Sequence, residues 1–257
     1  MPSVGTNEYE ESMASYLREK EGQICPKEGF LKQQTEINDR ARSKVINWMI
    51  KCQLRFHFSN ESLFLAVSLL DRFLEKQQID KKSLGLVGVA ALLIAWKYEE
   101  VCPLRLEGLL SCSNEKCSPS KVHNMELQLL KALNFEIVAP TTLQFLQRVC
   151  QDDRSAFTLT LYICENQLLY SDMAKYMPSL IGLSGFYIAK KANNKYYRIE
   201  DLPLKDFKYT KEDIRLCAKS IVINMLPIDS SELLNIRKKY STYESINTVI
   251  FNTNLIS

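Results

Sequence analysis

The stretch LVGVAALLIAWKYEE, Leu86 to Glu100, decides the fold. It is free of charge from Leu86 to Trp96, then ends on Lys97, Glu99 and Glu100. A surface helix alternates apolar and polar faces; a helix apolar all round is surrounded by others. The stretch therefore predicts a central helix over Lys81–Tyr98. Gly85, Gly88, Ala90 and Ala91 let neighbouring helices approach closely. Each glycine costs ~1 kcal/mol of helix propensity against alanine, a cost that close packing can offset.

Outward from this segment the period remains helical. Tyr9–Glu21 carries Tyr9, Met13, Tyr16 and Leu17 on one face, and Pro26 and Gly29 then break the pattern. From Asp39, Val45, Trp48, Met49 and Cys52 share a side. Ser59 and Asn60 form an N-cap signal ahead of the stripe Leu63, Ala66, Val67, Leu70, Phe73 and Leu74. Pro103 suits the first turn of a short helix, and Ser118 with Pro119 starts another. Asn134–Thr142 lacks helical period and reads as a linker. Helical patterns resume at Leu143–Cys150, Ala156–Tyr170, Pro178–Lys191, Lys211–Met225 and Ser231–Lys239, with a long connection over Lys195–Thr210 that has room for a helical turn. No stretch alternates with period two, so an all-α fold is predicted.

LIGLSGFYIAKK, Leu180–Lys191, aligns without gaps on LVGVAALLIAWK, Leu86–Lys97. The two share the first Leu, the Gly, the Ile-Ala pair and the last Lys. Each segment is third in a row of about five helical stretches, which points to an internal repeat of about 100 residues. Two five-helix domains follow, each with its third helix at the centre. The expected boundaries are 1–38 for a leading helix and lead-in, 39–138 for the first domain, and 139–257 for the second with a tail.

At 257 residues, 46% hydrophobic and 25% charged, the composition is that of a soluble globular protein. A net charge of +3 is too small to mark a nucleic-acid surface by itself. No signal peptide is expected, and the longest apolar run is shorter than the ~20 residues that span a bilayer. Eight cysteines without a secretory signal read as reduced thiols. Cys112, Cys117 and His123, with or without Cys102, form a candidate zinc set, but their spacing fits no common zinc pattern. No metal or other cofactor is expected.

Catalytic signatures are scarce. The sequence has no glycine-rich phosphate loop, no HExxH and no GxSxG. Only two histidines exist, His57 and His123. Glu99 and Glu100 invite an acid–base reading, but neighbouring helical residues point about 100° apart and cannot easily share one substrate. They read either as a solvated helix end or as a charged contact for a partner.

The whole pattern resembles the cyclins, and the A-type cyclins most. EYEESMASYLREKE (Glu8–Glu21) and CPKEGFLKQQTEI (Cys25–Ile37) look like the family's lead-in. RARSKVINWM (Arg40–Met49) looks like its MRxxLVDWL motif. LAVSLLDRFL (Leu65–Leu74), LGLVGVAALLIAWKYEEV (Leu84–Val101) and APTTLQFL (Ala139–Leu146) follow in the family order. The resemblance runs from Tyr9 to about Tyr240 and implies two tandem cyclin boxes behind an N-terminal helix. It also implies a non-catalytic subunit that binds and activates a cyclin-dependent kinase in the nucleus and cytoplasm, without contacting nucleic acid or membrane.

The family's framework falls on Arg42, Asp71, Leu86, Lys97 and Glu126. Arg42 and Asp71 are expected to pair inside the protein. Lys97 and Glu126 are similar to the family's pair that receives a helix of the kinase; an internal salt bridge is the other reading. Glu99 and Glu100 would face basic kinase residues. An apolar contact surface is expected at Ile94, Phe135 and Ile137, extended by Tyr9, Met13 and Tyr16.

The family's groove for Arg-x-Leu peptides of substrates and inhibitors falls on Ala41, Lys44, Val45, Trp48, Lys51 and Gly85. Val45 and Trp48 suit it. Ala41, Lys44, Lys51 and Gly85 depart from it, and Lys51 stands where an acid normally meets the peptide's arginine. Weakened or altered docking is expected. The alternative within the same fold is a TFIIB-type transcription factor on DNA, which expects a strongly basic face and a leading zinc ribbon.

Overall fold

The computed structural model describes residues 4–102, 106–112, 118–151, 153–194, 196–202, 207–225 and 235–243, without the side chains of 4–11, 14, 154 and 155. Among these residues there are eleven α-helices, three short 3-10 turns and no strand. A leading helix α1 (Val4–Ile24) precedes α2 (Asp39–Phe56), α3 (Asn60–Lys76), α4 (Leu84–Glu99), α5 (Leu106–Cys112) and α6 (Pro119–Ala132). The second set is α7 (Thr142–Val149), α8 (Arg154–Gln167), α9 (Pro178–Asn193), α10 (Lys211–Met225) and α11 (Asn235–Lys239). Pro103 and residues 231–234, expected in helical stretches, lie outside the described residues.

The helices begin where the sequence supplies caps. Asn38 accepts a hydrogen bond from the Ala41 N–H at 2.9 Å and starts α2. Ser59 caps α3, accepting from the Ser62 N–H at 3.2 Å. Pro119 opens α6, where its missing N–H costs nothing. Between these ends, Val87 to Trp96 of α4 are all buried, with α2, α3 and α6 packed round them. In the second set α9 plays the same part against α7, α8 and α10. None of the described helices is long and apolar enough to cross a membrane.

The glycines show how closely the central helices are approached. A methyl group at Gly88 would lie 2.4 Å from Val45 Cγ1, so α2 presses on α4 where no side chain fits without a shift. At Gly182 the same group would meet the backbone of α7 at 3.4–3.5 Å, an ordinary contact.

The two boxes are joined by polar contacts between residues far apart in sequence. The guanidinium of Arg42 binds Asp71 through two hydrogen bonds of 2.6 Å, and its third nitrogen donates to the Leu168 carbonyl at 3.0 Å. Ser43 Oγ donates to the Leu169 carbonyl at 2.6 Å. Lys239 of α11 donates to Gln53 and Asn60 of the first box and to Glu165 of the second, at 2.7, 2.9 and 2.5 Å. Glu21, at the end of α1, accepts from the Ser179 N–H and hydroxyl at 2.9 and 2.6 Å, which fixes α1 to the start of α9.

Candidate partner-binding face

The end of α4 carries an exposed charged group of defined geometry. Lys97 Nζ lies 2.6 Å from Glu126 Oε1, and the other oxygen, Oε2, lies 2.9 Å from His123 Nδ1. The two partners differ sharply in exposure: the Glu126 side chain is 10% exposed and that of Lys97 57%. A buried carboxylate thus holds an ammonium that solvent, or another molecule, can still reach. Lys97 also sits in the last turn of α4, where a cation complements the carbonyl end of the helix dipole.

Glu99 and Glu100 part company here. Glu99 is exposed, and partial desolvation together with the nearby Glu61 and Glu100 raises its pKa. Glu100, expected to face a partner, turns inward instead. It leaves the helix with an extended backbone, and its Oε1 accepts from the Ser59 N–H and the Ser62 hydroxyl, both at 2.7 Å. Partial burial works against its charge, but these hydrogen bonds outweigh it and hold the carboxyl below its ordinary range. The reason is local: the start of α3 has unpaired N–H groups, and a carboxylate satisfies them.

The expected apolar surface also needs correction. Ile94 is only 4% exposed and belongs to the core, as the all-round burial of α4 requires. Ile137 is half-buried, while Phe135 is 62% exposed. Asn134 and Phe135 take left-handed backbone angles, φ 52° and 59°, a conformation that ordinary side chains seldom adopt. That turn ends α6 and directs the Phe135 ring outward. It is clamped by Arg72, 2% exposed, which donates to the carbonyls of Glu136 and Ile137 at 2.6 and 3.2 Å. On α1, Met13 and Tyr16 are 41% and 55% exposed; the Tyr9 side chain lies outside the described residues.

The docking-groove positions fall on α2 and the start of α4. Lys44 and Lys51 are exposed, while Ala41, Val45, Trp48 and Gly85 are half-buried. The Trp48 indole is fixed by its Nε1–H, which donates to the Cys112 carbonyl at 2.9 Å. Leu86 packs against the core. Of the candidate zinc set, Cys117 lies outside the described residues. His123 is engaged by Glu126, and no metal-ligating group of three is found among the described residues.

The family assignment follows from comparison with known proteins. The profile "Cyclin, N-terminal domain" matches residues 12–138, and "Cyclin, C-terminal domain" matches residues 140–250. This chain belongs to the cyclin family. Among its relatives, Cyclin-B2-1 of Oryza sativa subsp. japonica is 32% identical over 94% of this chain and 58% of its own length. The G2/mitotic-specific cyclin-B of Dictyostelium discoideum is 31% identical over 91% of this cyclin and 54% of the relative. Cyclin-A2 of Xenopus laevis is 31% identical over 92% of this chain and 59% of the relative. B-type cyclins are thus the better matches, with an A-type cyclin behind them, which corrects the expectation of an A-type chain; the chain spans less than two thirds of each. A viral cyclin from herpesvirus saimiri shares the fold, with a TM-score of 0.65 at 22% identity, covering 91% of this cyclin and 99% of that chain. A chain of the yeast RNA Pol II CTD kinase CTDK-1 complex shares it at 0.56 and 14% identity, over 78% of this cyclin and 76% of that chain.

Sequence reading missed three residues of the face and its supports. His123 carried a signal, standing three residues before Glu126 on the same helix. Arg72 and Glu21 carried none, because their partners lie 64 and 158 residues away.

Proposed function

We infer that this cyclin is a non-catalytic regulatory subunit that binds a cyclin-dependent serine/threonine kinase and activates it in cell-cycle progression. The observation that carries the reading is the Lys97–Glu126 pair: a cation held at 2.6 Å by a buried carboxylate, yet more than half exposed, at the end of a rigid central helix. Its ammonium has donors to spare for backbone carbonyls of a partner. Glu99, Phe135, Met13 and Tyr16 supply further exposed charge and apolar area. A stable contact of this kind buries more than about 2,000 Å². Activation then works by population shift: the cyclin binds the active arrangement of the kinase's regulatory elements better than the inactive one.

The reading extends to substrates and location. Exposed Lys51 repels the arginine of an Arg-x-Leu peptide, so docking of substrates or inhibitors through α2 is weakened, and the complex works in the nucleus and cytoplasm. Like charges placed opposite each other across a contact cost several kcal/mol.

Co-purification with cyclin-dependent kinases, followed by a histone phosphorylation assay, tests the main claim. Wild type raises kinase activity, and Lys97→Ala lowers the stimulation at least about tenfold, the effect of losing ~1.4 kcal/mol at the interface, while its melting is unchanged. A folded wild-type chain that binds no kinase, or a Lys97→Ala variant that stimulates fully, overturns it.

A further inference from the structure

The second box has its own counterpart to Lys97. Leu86–Lys97 and Leu180–Lys191 align without gaps, so Lys191 closes the central helix of the second box as Lys97 closes that of the first. Lys97 is held by a carboxylate. Lys191 has none within reach among the described residues, and its ammonium lies 5.8 Å from the centre of the Tyr187 ring.

Lys191 opens onto a cleft of about 660 Å³ between the end of α9, the turn around Ile199 and α10. Tyr187, Lys191, Tyr196, Arg198, Arg215 and Lys219 border it. Two acids also line it, but both are engaged: Glu200 with Lys211 at 2.6 Å and Glu212 with Arg215 at 3.8 Å. Lys219, like Lys191, has no carboxylate partner among the described residues. Beside these cations stand a 90% exposed tyrosine, Tyr196, and a half-exposed Leu216. Uncompensated positive charge next to exposed aromatic and aliphatic surface is unusual for a face that meets only water.

We propose that this cleft docks an acidic peptide segment of a partner protein. Its carboxylates meet Lys191 and Lys219, and an apolar side chain lies against Tyr196 and Leu216. The two glutamates in the wall disfavour a nucleic acid, whose phosphates form a continuous negative line, whereas separate carboxylates can be set between them. The site is distinct from the Lys97 face and does not depend on kinase binding.

The test is fluorescence anisotropy with the full chain and a labelled peptide of Asp and Glu residues around one central Phe. Saturable binding with a Kd of roughly 10–100 µM is expected of so small a contact. Lys191→Glu combined with Lys219→Glu weakens it at least about tenfold, and Tyr196→Ala about threefold. Lys97→Ala leaves it unchanged. Lys191→Gln with Lys219→Gln repeats the test should the charge reversal impair folding, which circular dichroism reports. The proposal is overturned by absent binding, by undiminished binding in both double variants, or by equal binding of a peptide lacking the Phe. Tighter binding of a single-stranded RNA at the same residues also overturns it.

Discussion

The two boxes use one scaffold for different ends. In both central helices the shared glycine faces the first helix of its box: Gly88 meets Val45 of α2, and Gly182 meets α7. In both, the shared Ile-Ala pair is buried, as Ile94 and Ala95 and as Ile188 and Ala189. The ends differ. The far end of α4 gathers Lys97, Glu126 and His123 into a fixed, accessible charge. In α9 the start is tied through Ser179 to Glu21 and the last turn through Lys190 to Asp153 at 2.6 Å, while the closing Lys191 has no carboxylate partner among the described residues. The shared glycine and Ile-Ala pair fill the core in both repeats, whereas the shared closing lysine stands in different surroundings in each. Packing constrains every atom of a core residue, whereas a rim residue answers only to what it touches.

The sharpest way to break the comparison is at the seam, where Arg42 serves both boxes. Arg42→Ala strands Asp71 and frees the Leu168 carbonyl, so urea unfolding should show a loss of about 3–5 kcal/mol. A loss under about 1 kcal/mol would mean that the pair contributes little more than an exposed one. The next largest effect separates the two glycines. Gly88→Ala forces a methyl to within 2.4 Å of Val45 and should cost about 1–3 kcal/mol by overpacking. Gly182→Ala meets only ordinary contacts and should be neutral or gain up to ~1 kcal/mol of helix propensity. A double-mutant cycle of Gly88→Ala with Val45→Ala should show favourable coupling; strict additivity would place the strain elsewhere.

The smallest effect concerns the cap that α4 lends to α3. Glu100 sits below its ordinary pKa of 4.5 in the folded chain. The stabilisation it provides is therefore fully present above about pH 4.5 and is lost as pH falls through the lower folded value. Glu100→Gln keeps the acceptor but not the charge, and should cost about 1 kcal/mol at pH 7. Urea midpoints measured from pH 7 to pH 3 should converge for wild type and variant at the acid end. A constant difference across that range would remove the charge from the explanation.

Much of this architecture was legible in the sequence, for identifiable reasons. The uncharged run of α4 and its echo in α9 read as central helices because burial on every side leaves no polar stripe. The same fact argued against Ile94 as a contact residue, and there the core pattern prevailed over the resemblance. Glu99 and Glu100 are neighbours in sequence but diverge in space, because the helix ends between them; their fates could not be told from composition. The left-handed turn at Asn134 and Phe135 falls in a stretch read only as a linker; Asn134 is a residue type that favours positive φ just past a helix, but nothing announces one at Phe135. The seam was least legible. Arg42 was matched to Asp71 through the resemblance, but its reach to Leu168 depends on how the boxes dock, as do the bonds of Lys239 and Glu21.

Lys239 has a consequence for synthesis. Its carboxylate, Glu165, is wholly buried and lies 74 residues earlier in the chain. While the ribosome is still making that interval, Glu165 has no cation to meet and Gln53 and Asn60 lack their shared donor. The contacts of Arg42 and Ser43 can form earlier, but the part of the joint that Lys239 supplies cannot close until α11 emerges, and a chain halted before it would keep Glu165 as an unmatched acid for quality control to find.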